Sequence, residues 1–158
     1  MHNDELASIL NDFMASNEPE SDSIAILRSV LTELRNPSRS DYLMNSAESK
    51  VLRSVLHAQA RLRLEDPDLS RICLDSLTPK VSDMTGTEIE SLLADMVELK
   101  LRHDTLLNRI VFLIPVIPYS NVELDSVTNA LQALGAGSKD DQEFLVNLVR
   151  FRNVVVLD

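Results

Sequence analysis

SKVLRSVLHAQARLRL, residues 49–64, decides the fold. Val51, Leu52, Val55, Leu56 and Leu62 recur at steps of three and four, the spacing that gathers apolar side chains on one face of an α-helix. Lys50, Arg53, His57 and Arg61 follow the same steps with Arg63 close behind, so the segment also carries a row of cations. Upstream, Leu43, Met44 and Ala47 extend the apolar period back to Asp41, and downstream Asp66-Pro67 breaks it. The spacing predicts one helix of roughly six turns from residue 41 toward 65.

Outward from this element the same period recurs. Leu6, Ile9, Leu10, Phe13 and Met14 predict a first helix over residues 4–15, and Ile24, Leu27, Val30, Leu31 and Leu34 a second that stops before Pro37. Asp66-Pro67 is itself a helix start, and Leu69, Ile72, Cys73 and Leu77 predict a short fourth helix ending at Thr78-Pro79. After Thr85-Gly86-Thr87, a run from Ile89 through Leu92, Leu93, Met96, Val97, Leu99, Leu106, Leu107 and Ile110 to Val111 predicts the longest helix of the chain, closed before Pro115 and Pro118. Leu124, Val127, Leu131 and Leu134 predict a short helix, followed by Gly135-Ala136-Gly137-Ser138. Phe144, Val146 and Leu148 alternate and lead to Val154-Val155-Val156-Leu157, a β-branched run that reads as one or two final strands. The expected class is mainly α: a bundle of about five helices over 1–118, a linker with a short helix over 119–143, and a β-like segment over 144–158. The sequence reads as free of internal repeats.

Composition narrows the function. At 158 residues the chain has room for one well-buried domain with a small appendage. Three Gly, no Trp and 4% aromatic residues leave little for phosphate-cradling loops or base-stacking platforms. A net charge of -10 repels a phosphate backbone unless the cations share one face. The single Cys73 excludes an internal disulfide and a multi-cysteine zinc site. The polar, acidic N-terminus does not read as a signal peptide, and an intracellular protein is expected.

Catalytic constellations are weak. His2, His57 and His103 fall on different elements, with no second His or Cys at metal-ligand spacing. Cys73 follows Leu69 and Ile72 on an apolar face, where a small buried hydrophobe fits better than a nucleophile. Pairs such as Glu88 with Glu90 and Asp140 with Asp141 sit where carboxylates cap helices and solvate linkers. No catalytic residue, metal or cofactor is expected. The row Lys50, Arg53, His57, Arg61 and Arg63 admits three readings: a solvated face, a contact for an acidic partner chain, or direct nucleic-acid binding. Leu99 and Leu101 beside Leu106 and Leu107 exceed a single stripe, a surplus that other subunits would bury.

The order of features resembles the helical domain of the Sld-five subunit of the GINS complex. The residues that carry the likeness are Asn17-Glu18 after a short acidic helix, Glu48, Arg53-Ser54-Val55-Leu56, Arg61-Leu62-Arg63-Leu64, the helix start at Thr85 with the stretch to Leu107, and the exit at Pro115 and Pro118. Asp140-Asp141-Gln142-Glu143-Phe144 through Val149-Arg150-Phe151-Arg152 is similar to that family's entry into a small β-rich domain. The resemblance implies a non-catalytic subunit of a hetero-tetramer that binds the MCM motor and the Cdc-forty-five protein in the replicative helicase, nuclear in a eukaryote. Partner contacts are then expected at Lys50, Arg53, His57, Arg61, Arg63, Phe144, Val146 and Leu148, with no small-molecule substrate, membrane or strong nucleic-acid binding. A stand-alone helical adaptor that docks one partner protein is the alternative.

Overall fold

The structure, a computed structural model, describes residues 2–15, 21–136 and 143. Its helices are α1 (Asn3–Ala15), α2 (Ser21–Leu34), α3 (Ser40–Asn45), α4 (Ser49–Leu62), α5 (Pro67–Leu77), α6 (Gly86–Leu99), α7 (Asp104–Leu113) and α8 (Asn121–Ala133), with 3₁₀ turns at Pro37–Arg39 and Thr78–Asp83. No strand occurs among the described residues, so the fold is mainly α, as the apolar periods predict. The expected β-like segment 144–158 lies outside the described residues. The chain divides into two compact units, Met1–Leu77 and a second beginning at Thr78, where the sequence reading runs one bundle to residue 118.

In the first unit α4 is the central element. It packs on α1, α2 and α5, and α3 packs on α5. Val51 through Leu56 and Ala58 through Ala60 are all buried, so α4 is enclosed on more than its apolar face. The Ser54 hydroxyl and the Gln59 side-chain oxygen find partners within the unit. Ser54 Oγ donates to the Lys50 carbonyl at 2.7 Å. Gln59 Oε1 accepts from the Asp66 N–H at 3.1 Å and from Ser70 Oγ at 2.9 Å, tying α4 to the start of α5. Asp66 caps α5 by accepting from the Leu69 N–H, and its other oxygen pairs with Arg35 Nε at 2.7 Å.

The six-turn helix expected over 41–65 is two helices. The Ser46 and Ala47 N–H groups both donate to the Tyr42 carbonyl, and Glu48 is extended at φ −71°, ψ 156° before α4 begins. Asn45 and Ser46 are weak helix formers whose side chains favour such turns, and Asn45 Nδ2 donates to Asp41 Oδ1 at 2.6 Å. The break turns Ala47 into the core.

The longest expected helix, over 89–111, is also two. Lys100 adopts the left-handed conformation at φ 54°, and the Leu101 N–H donates to the Met96 carbonyl at 2.8 Å, closing α6. His103 then caps α7, its Nδ1 accepting from the Leu106 N–H at 3.0 Å. The short helix expected within 119–143 is α8, which packs on α6 and buries Leu124, Val127 and Leu131. Gly86 marks a close approach in this unit. A Cβ there would lie 2.8 Å from the Tyr119 ring and 3.2 Å from the Pro118 carbonyl oxygen.

Helix boundaries recur at fixed spacing. The residue before the first helical position is Glu48, Thr85 and Ser120 in α4, α6 and α8, and the left-handed closing residue is Arg63, Lys100 and Gly135. After each closing residue the next N–H donates five residues back, from Leu64 to Gln59, from Leu101 to Met96 and from Ala136 to Leu131. The caps of α5 and α7, Asp66 and His103, keep the same offset. The sequence reading found no internal repeat, and the positions that share this boundary geometry share few identical residues.

Candidate protein-interaction surface

The structure splits the row of cations. Lys50, Arg61 and Arg63 are exposed, but Arg53 is buried at 8% exposure and His57 is half-buried against the Phe13 ring, centroids 5.7 Å apart. The physical reason is the enclosure of α4 by α1, α2 and α5, which leaves its exposed residues at its two ends. Arg63 is exposed where the left-handed closing residue leaves the helix axis. A continuous basic face along α4 is therefore absent, and what remains is a cation at the start and two at the end. Phe144, Val146 and Leu148, the other expected contacts, lie outside the described residues.

The remaining chemistry-bearing side chains serve the fold. Cys73 is buried, and burial, with the Asp66 charge adding to it, pushes its thiol up to about 12. A thiol in that state is a poor nucleophile. His103 is engaged as a helix cap. Among the described residues no group of His, Cys, Asp and Glu comes together in a form that could hold a metal ion. A groove of about 260 Å³ in the first unit is lined by the apolar Leu34, Leu69 and Ile72 together with Arg35, Ser40, Asp66 and Asp68. Both oxygens of Asp66 are committed there, to Arg35 and to the Leu69 N–H, so the carboxylate closes the α5 start.

Surplus apolar surface does occur, away from the expected residues. Leu99, Leu106 and Leu107 are buried within the chain and Leu101 is half-buried, which corrects the expectation that they face other subunits. Phe112 and Val116 are each 71% exposed, and Val122 is exposed as well. Phe112 and Val116 are four residues apart on α7 and the turn that continues it, where the Val116 and Ile117 N–H groups both donate to the Leu113 carbonyl. Side chains at that spacing are neighbours. The Arg109 guanidinium lies 5.7 Å from the centre of the Phe112 ring, so the patch combines a cation with an apolar surface. Sequence periodicity carries a faint sign of this: Phe112 falls out of phase with Leu106, Leu107 and Ile110, which define the buried face of α7.

No described helix is long and apolar enough to cross a membrane. No family model, curated protein or solved structure matches the chain.

Proposed function

We propose that the chain is a non-catalytic structural subunit of a multi-protein helical assembly, acting by holding partner proteins through its surface. The observation that carries this reading is the Arg109–Phe112–Val116 patch, because an aromatic ring exposed beside a second apolar side chain and an Arg is the composition enriched at protein contacts. In the first unit, the exposed Lys50 and Arg63 offer positive charge to an acidic partner, in a chain that is otherwise strongly acidic. Phe144, Val146 and Leu148 belong to the proposal on sequence alone. The resemblance to the Sld-five family names the first assembly to test, a GINS-type complex that supports the replicative helicase in a eukaryotic nucleus.

A second reading, a stand-alone adaptor with one partner, is favoured by the burial of Leu99, Leu106 and Leu107 inside the chain, which leaves the isolated protein self-sufficient. Capture of the tagged chain from its own cells, with mass spectrometry and light scattering of the purified protein, separates the two. Recovery of several helical subunits together with helicase components supports the assembly. One unrelated partner and a monomeric chain support the adaptor. Phe112→Ser with Val116→Ser should reduce capture at least tenfold and leave the melting temperature within a few degrees, since both residues are exposed. Undiminished capture would remove the patch from the account.

A further inference from the structure

The recurrence of helix boundaries extends to the side chains. Position by position, α4, α6 and α8 place Leu52, Ile89 and Leu124 in the core, then Val55, Leu92 and Val127, then Gln59, Met96 and Leu131. The residues just ahead of the caps, Ala47, Met84 and Tyr119, are buried too, at the site from which a side chain packs back on the first turn of a helix. The second helices agree: Leu69 matches Leu106, Cys73 matches Ile110 and Leu77 matches Ile114, all buried. From α4–α5 to α6–α7 the offset is 37 residues throughout, as from Glu48 to Thr85, Arg63 to Lys100 and Asp66 to His103. From α6 to α8 it is 35, as from Thr85 to Ser120 and Lys100 to Gly135.

Exposure recurs as well, with side chains of differing chemistry: Lys50, Thr87 and Val122 are equivalent and exposed, as are Arg61, Glu98 and Ala133. Burial that recurs at fixed positions while the exposed chemistry changes, at a period of 35 to 37 residues, is the pattern of helix-hairpin repeats.

We infer that the chain is assembled from tandem copies of one helix-hairpin module, and that the face α6 offers to α8 accepts a further copy of that module. The contacts at this face are ones a copy reproduces. Thr87 Oγ1 donates to Glu123 Oε2 at 2.6 Å, and Glu123, the third residue of α8, closes the capping box that begins at Ser120. Glu88 stands at the same place in the box that begins at Thr85. The Tyr119 ring on Gly86 precedes the next cap, so it stays in place whichever cap follows. The cations at Lys50 and Arg61 are then a property of one copy.

The test inserts a second copy of residues 85–119 between Tyr119 and Ser120 of the full chain, beside a control with the same 35 residues in scrambled order. Circular dichroism, light scattering and thermal unfolding are read on both. The tandem variant should be a monomer whose helical signal per molecule rises in proportion to its length, with a melting temperature no lower than the parent's by more than a few degrees. The scrambled control should add no helical signal. Loss of cooperative unfolding or aggregation in the tandem variant, or an equal gain in helix from the scrambled insert, overturns the inference.

Discussion

Arg63 and Lys100 stand at positive φ, a conformation that costs a non-glycine residue about 1 kcal/mol or more. In a chain with three Gly, these two cations end their helices where a carbonyl-rich terminus attracts positive charge, which offsets part of the strain. Gly135 does the same work without the strain. Lys100→Gly should therefore stabilise the chain by about 0.5 to 1 kcal/mol, and Gly135→Ala should cost about 1 kcal/mol, both read from urea unfolding. The Arg102 guanidinium near Gly135 leaves room for a methyl group, so the second cost is a backbone effect. Cys73 gives a separate check. Buried, with a thiol held near 12, it should fail to react with a thiol reagent at pH 8 in the native chain and react fully in denaturant. Rapid native labelling would contradict the packing of α5.

At the scale of elements, caps decide where helices begin and side chains decide how closely they approach. Gly86→Ala forces the Tyr119 ring and the Pro118 carbonyl away from α6, so it should destabilise by about 1 to 3 kcal/mol in the same unfolding assay. Glu123 is held below the usual carboxylate range, first by the hydrogen bond from Thr87 and then by those from Ser120. Its depressed value means that its contribution is complete above the unfolded value of about 4.5 and fades as pH falls through the folded value. Glu123→Gln should lower the melting temperature at pH 7, and the gap to the parent should narrow as the pH falls below about 4.5. A gap that stays constant through that fall would assign the loss to something other than the charged carboxylate.

Across the whole molecule, each unit holds its own buried leucines, while net charge is shared by the entire chain. A charge of -10 destabilises any compact state through self-repulsion, and dissolved ions screen it. Raising the ionic strength from a dilute buffer should therefore raise the melting temperature; a fall would mean that pairs such as Arg35–Asp66 outweigh the repulsion. The patch at Arg109, Phe112 and Val116 is the molecular-scale feature that points beyond the chain.

By itself the sequence determined the helical class and most helix starts, because an apolar step of three or four and a Ser, Thr or Asp cap are local signals. It also placed Cys73 correctly in the core. Period alone did not show the breaks at Ser46–Glu48 and Lys100–His103, since apolar residues continue in phase across a turn that only backbone hydrogen bonding reveals. Nor did it show the repeat, because equivalent positions share burial and capping geometry and few identical residues. Which cations of this segment face water was settled by the helices packed around α4, which bury Arg53 and leave Lys50, Arg61 and Arg63 exposed. Periodicity describes one helix in isolation, whereas exposure depends on which other helices cover it.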